Sequence, residues 1–66
     1  MKTFGDNLKN YRTAAKISQQ SFAEKLGTTQ QRVSEWERGL VEPSLYNVIK
    51  ILNILNISFE ELTDGL

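Results

Sequence analysis

The chain has 66 residues, no net charge, and neither cysteine nor histidine. Disulfides, Cys/His zinc sites, and thiol or imidazole catalysis are thereby excluded. One domain over residues 1–66 is expected, near the lower size limit for folding without a disulfide or metal staple. Hydrophobic residues make up 39%, with one proline and four glycines, as in a compact helical unit. No apolar run approaches the ~18 residues of a membrane span, and Met1-Lys2-Thr3 opens no signal peptide. A soluble cytoplasmic protein is expected.

The charges are unevenly placed. Residues 1–41 carry seven bases (Lys2, Lys9, Arg12, Lys16, Lys25, Arg32, Arg38) and four acids (Asp6, Glu24, Glu35, Glu37), a balance of +3. Residues 42–66 carry Lys50 against Glu42, Glu60, Glu61 and Asp64, a balance of −3. Such a split fits a basic face turned toward phosphates and an acidic end turned away, although a neutral total argues the other way.

Five helical patterns follow one another with short connections. Thr3 is placed to cap the first, with Asp6 at N3 favourably set against the macrodipole. Its apolar face is Phe4, Leu8, Tyr11 and Ala15. Ile17 breaks that pattern and Ser18 caps the second helix, while Ser21 stands where Glu or Gln would complete a capping box. Phe22, Ala23 and Leu26 form one apolar face of this helix. Ala23 is small enough to let two helices meet at a steep angle. Gly27 suits the left-handed C′ position. Thr29 is the expected cap of the third helix, though Thr28-x-x-Gln31 also fits a capping box.

In the third helix Val33 and Trp36 face inward, leaving Gln31, Ser34, Glu35 and Arg38 on the other side. Gly39 ends it, and Leu40 to Pro43 form a loop. Ser44 caps a fourth helix, where Leu45, Val48, Ile49, Leu52 and Leu55 make a wide apolar stripe that Ile51 and Ile54 extend. Asn56 is a reasonable left-handed stop. Ser58-Phe59-Glu60-Glu61 is a capping box for a short fifth helix ending near Thr63. The expected fold is all-α, a five-helix orthogonal bundle with a helix-turn-helix over residues 19–39.

That stretch, QQSFAEKLGTTQQRVSEWERG, resembles the helix-turn-helix of the lambdoid phage repressor and Cro proteins, the XRE-like family of regulators. Gly27-Thr28-Thr29-Gln30-Gln31 is similar to the turn and recognition-helix start of the 434-like repressors. Glu37 follows as in the family, and Ile17-Ser18-Gln19 stands for its usual Leu-Ser-Gln. The likeness runs from Phe4 to Leu62. It implies a lambda-repressor-like domain in a sequence-specific double-stranded DNA-binding regulator; the sequence holds no catalytic constellation, and no enzymatic activity, cofactor, metal or small-molecule ligand is expected. The implied mode is a dimeric repressor on an inverted-repeat operator. Antitoxins and restriction-modification controllers share the fold. A helical protein-interaction module without DNA binding is the alternative from another class, supported by the neutral charge, Glu35 and the non-basic loop 40–42.

Gln30 stands at the first turn of the third helix, the end that enters the groove in this fold. An amide there is suited to the bidentate contact with adenine, and Gln31 to a neighbouring base; the resemblance gives both this role. Ser34 and Glu35 are further base-reading candidates, Glu35 by accepting from cytosine or else pairing with Arg32. Gln19 meets a phosphate in the family, at the head of the second helix. Arg32, Arg38, Lys9, Lys16 and Lys25 are the other phosphate candidates. The resemblance makes Arg12 and Glu37 a structural ion pair joining the first helix to the third. Ile54, Ile57, Phe59 and Leu66 are candidates for the dimer interface, with Leu40 and Val41 as an alternative patch.

Overall fold

Five hydroxyl side chains mark where the helices begin. In the computed structural model, which describes residues 2–66, α1 spans Phe4–Ala14, α2 Gln19–Leu26, α3 Gln30–Glu37, α4 Leu45–Leu55 and α5 Phe59–Leu62. Thr3, Ser18, Thr29, Ser44 and Ser58 hold the N-caps in extended backbone, each oxygen accepting from the N–H three residues on. Thr3 with Asp6 and Ser58 with Glu61 close reciprocal capping boxes. Losing such a cap costs about 0.5–2 kcal/mol. Thr29, rather than Thr28, caps the third helix.

Four helices end alike. Lys16, Gly27, Gly39 and Asn56 have φ of 60°, 76°, 77° and 55°. The next N–H then returns to a carbonyl five residues back: Ile17 to Arg12, Thr28 to Ala23, Leu40 to Glu35, and Ile57 to Leu52. This is the Schellman closure, which satisfies carbonyls the helix leaves free. Glycine and asparagine are ordinary occupants, but a lysine in this conformation costs about 1–2 kcal/mol. The early closure also corrects the expectation for Ala15. It is the exposed C-cap of α1 and not part of the inner face.

Leu8, Phe22, Ala23, Leu26, Val33, Trp36, Ile51, Leu55 and Leu62 form the core. Around it α2 packs on α3 and α4, and α1 packs on α3 and α5. The α4 stripe is rotated from the expected one. Ile51 and Leu55 are buried, Val48 and Leu52 half-buried, while Leu45 and Ile49 are 70% and 48% exposed. With only one charged side chain, α4 is apolar around most of its circumference, so periodicity alone does not single out its inner face. That charge, Lys50, is turned toward α2, its Nζ donating to the Leu26 carbonyl at 3.3 Å.

Two residues of α1 set how tightly it seats. A Cβ on Gly5 would lie 2.4 Å from the Glu37 carbonyl oxygen and 2.6 Å from that of Trp36. Glycine therefore lets α1 touch the backbone at the end of α3. Buried Asn7 donates from Nδ2 to the carbonyls of Leu62 and Asp64, both at 2.9 Å, tying α1 to the chain's end. No helix among the described residues is long and apolar enough to cross a membrane.

Candidate nucleic-acid interface

Helix α3 has eight residues, of which Val33, Trp36 and Glu37 are buried. Its first turn is consequently free. Gln30, Gln31 and Arg32 are exposed, Arg38 is exposed at the C-cap, and Ser34 and Glu35 are half-buried between them. The N-terminus of α3 also carries the positive end of the helix dipole.

Beneath this surface lies a connected polar chain. Arg12 Nε donates to Glu37 Oε2 at 2.6 Å and Nη2 to Oε1 at 3.0 Å, a two-point pair with both side chains buried. Arg12 Nη1 donates to the Ile17 carbonyl at 2.7 Å, so the guanidinium also holds the α1–α2 connection. Gln19 Nε2 donates to Glu37 Oε1 at 3.0 Å, and Gln30 Nε2 donates to Gln19 Oε1 at 3.4 Å. One continuous set of contacts thus runs from α1 through the end of α3 and the head of α2 to the first turn of α3.

The Arg12–Glu37 pair is where the resemblance implied. The side chain of Gln19, expected to meet a phosphate, is shared between Glu37 and Gln30. Spacing in the sequence carries no signal for that. Gly5 and Asn7 were likewise missed, because a close approach and a contact with residues more than 50 positions away leave no local pattern.

The remaining cations are dispersed. Lys9, Lys16 and Lys25 are exposed. Among the described residues the ion pairs are Arg12–Glu37 and an exposed Lys2–Asp64 contact of 3.9 Å, so Glu35 is not paired with Arg32. Of the dimer candidates, Ile54 and Ile57 are half-buried against the core, whereas Phe59 and Leu66 are 58% and 60% exposed. These two line a groove of about 270 Å³ together with Phe4, Pro43 and Val48. Leu40 and Val41 are exposed in the α3–α4 loop.

A family model described as Helix-turn-helix matches residues 8–62. The uncharacterized HTH-type transcriptional regulator YqaE of Bacillus subtilis (strain 168) is 40% identical over 62 residues, 94% of this chain and 53% of its own length. The chain spans about half the length of two curated Bacillus subtilis relatives that it matches. Among solved structures, the P22 c2 repressor in complex with a synthetic operator superposes with a TM-score of 0.89 at 26% identity, over 100% of both chains. The restriction-modification controller protein C.AhdI from Aeromonas hydrophila superposes with a TM-score of 0.82 at 37% identity, over 89% of each.

Proposed function

Because the chain belongs to the helix-turn-helix family, we propose that it is a sequence-specific double-stranded DNA-binding transcriptional regulator that reads the major groove with α3. The observation that carries this reading is the exposed first turn of α3, where two amides stand on a helix braced from below by the buried Arg12–Glu37 pair. Amides pair with adenine edges, each good bidentate contact discriminating by roughly 1–3 kcal/mol. Gln30 and Gln31 take that role, Ser34 and Glu35 lie next along the groove, and Arg32 and Arg38 hold phosphates. Lys9, Lys16 and Lys25 supply weaker, sequence-independent attraction.

One helix-turn-helix buries too little surface for tight specific binding, so the protein acts as a dimer on an inverted repeat. Phe59 and Leu66, with Ile54 and Ile57 behind them, form the contact between copies. The assembly works as a cytoplasmic repressor without catalytic activity. C.AhdI, at 37% identity, favours a second reading as a restriction-modification controller. That reading differs in where the operator lies, ahead of the regulator's own operon, and not in how DNA is bound.

The test is selection of sites from a random duplex pool, followed by anisotropy at two salt concentrations. An enriched inverted repeat with half-sites about 10 bp apart supports the proposal. Gln30→Ala should relax preference at one base position, whereas Arg38→Ala should weaken all duplexes alike and lower the salt slope by about 1. Absence of any enriched motif would reduce the role to phosphate contact, and no binding at either salt would favour a protein partner.

A further inference from the structure

We infer that Glu35 makes DNA binding sensitive to methylation of a cytosine at its N4 amine, so that a site methylated there is refused. The inference rests on α3 being the reading helix and deepens that reading. It follows from the hydrogen-bonding character of the face that α3 leaves outside the core.

Val33 and Trp36 are 0% and 1% exposed, and the side chains outside are Gln30, Gln31, Arg32, Ser34 and Glu35. None of these is apolar, so the face holds no partner for a methyl group. Glu35 stands apart from the other four in chemistry. Amides and the hydroxyl donate or accept, arginine only donates, and a carboxylate only accepts. Arg32 and Arg38 lie three residues to either side, within helical reach of Glu35. Yet among the described residues the ion pairs are Arg12–Glu37 and Lys2–Asp64. The Glu35 carboxylate is therefore left unpaired on the face proposed to meet DNA.

Phosphates repel such a group, so it needs a donor from the bases. In the major groove, guanine N7 and O6, adenine N7 and thymine O4 are all acceptors. Only adenine N6 and cytosine N4 donate, and a carboxylate is matched to cytosine N4. That amine has two hydrogens, one of which is spent on the paired guanine. A methyl group on N4 of a cytosine that stays paired takes the place of the other. Glu35 then loses its donor and faces carbon, with no apolar neighbour on α3 to receive it. Gln30 and Gln31 suffer less from a methyl on adenine N6, because an amide keeps its N–H contact to adenine N7. Glu35 is thus the sensor, and the amides respond more weakly.

Site selections on wild type, Gln30→Ala and Glu35→Ala locate the base that each side chain reads. Wild type should select cytosine at the Glu35 position; any other base there would overturn the inference. Anisotropy then compares the selected duplex with one carrying a single N4-methylcytosine at that position. Wild type should bind the methylated duplex at least ten-fold more weakly, roughly the size of one discriminating contact. Glu35→Ala has no acceptor to lose and leaves room for the methyl, so its two affinities should agree within about two-fold. An N6-methyladenine at the Gln30 position should cost wild type less than the methylated cytosine does.

Equal binding of both duplexes by wild type would overturn the inference. So would an equal loss in wild type and Glu35→Ala, which would put the effect in the duplex and not at Glu35. A changed site for Gln30→Ala beside an unchanged one for Glu35→Ala would end the inference while the reading helix stands. If neither variant changes the selected site, the placement of α3 itself fails, a result distinct from the others. Glu35 is half-buried and outside the core, so Glu35→Ala should keep its fold, which circular dichroism checks.

Discussion

Along α1–α3 the exposed side chains are mainly polar, whereas the large exposed apolar ones, Leu40, Val41, Leu45, Tyr46, Ile49, Phe59 and Leu66, all lie beyond Gly39. The charge divides at the same place, +3 over residues 1–41 and −3 over residues 42–66. The manner of fastening differs too. The first region is locked by directional contacts, the Arg12–Glu37–Gln19–Gln30 chain and the backbone seat at Gly5. In α4 and α5 only Ile51, Leu55 and Leu62 are buried. The half that presents α3, the helix proposed to read DNA, is held in a fixed geometry by these directional contacts. An apolar outer surface instead suits a region that meets another chain.

Substitutions should separate the two regions by size of effect. Glu37→Ala leaves the Arg12 guanidinium buried without its partner, and such a loss costs about 3–5 kcal/mol. That is comparable to the whole stability of a domain this small, so equilibrium denaturation should find the variant largely unfolded. Gly5→Ala pushes a methyl into the carbonyls that end α3. A cost of about 1–3 kcal/mol is expected, seen as a lower denaturation midpoint with an unchanged m-value. Lys16→Gly should act in the opposite direction, raising stability by about 1 kcal/mol by relieving the left-handed lysine. The same variant tests the phosphate role of Lys16, since a true contact would also lower the salt slope by about 1.

In the other region, Leu66→Lys should change monomer stability by less than about 0.5 kcal/mol, because its side chain is exposed and not among those packed against the core. A larger loss by denaturation at low protein concentration would break the contrast between the halves. Normal stability with weakened self-association, read by sedimentation equilibrium, would sharpen it.

Local chemistry made much of this fold legible. Thr3, Ser18, Thr29, Ser44 and Ser58 announce helix starts because a hydroxyl before an apolar run has one dominant use there. Gly27, Gly39 and Asn56 announce stops through the left-handed conformation they tolerate. Lys16 does not, since nothing in a lysine marks that conformation. Leu45 and Ile49 went astray because α4 is apolar over more of its circumference than the core can cover. At the site, exposure of Gln30 and Gln31 follows from Val33 and Trp36 facing inward. The union of Arg12 with Glu37, 25 residues apart, was available only through family resemblance. The link from Glu37 to Gln30 through Gln19 required the three-dimensional path, because it joins three helix ends that no spacing rule relates.

Trp36 is the chain's single tryptophan, and its side chain is 1% exposed within the core. Its fluorescence is therefore a gauge of folding rather than of binding. Emission should stay blue and shielded from soluble quenchers while the bundle is intact, and shift to the red only as the core opens. A titration with DNA that leaves this signal flat would be compatible with tight binding at Gln30, so a probe for that event belongs on the duplex.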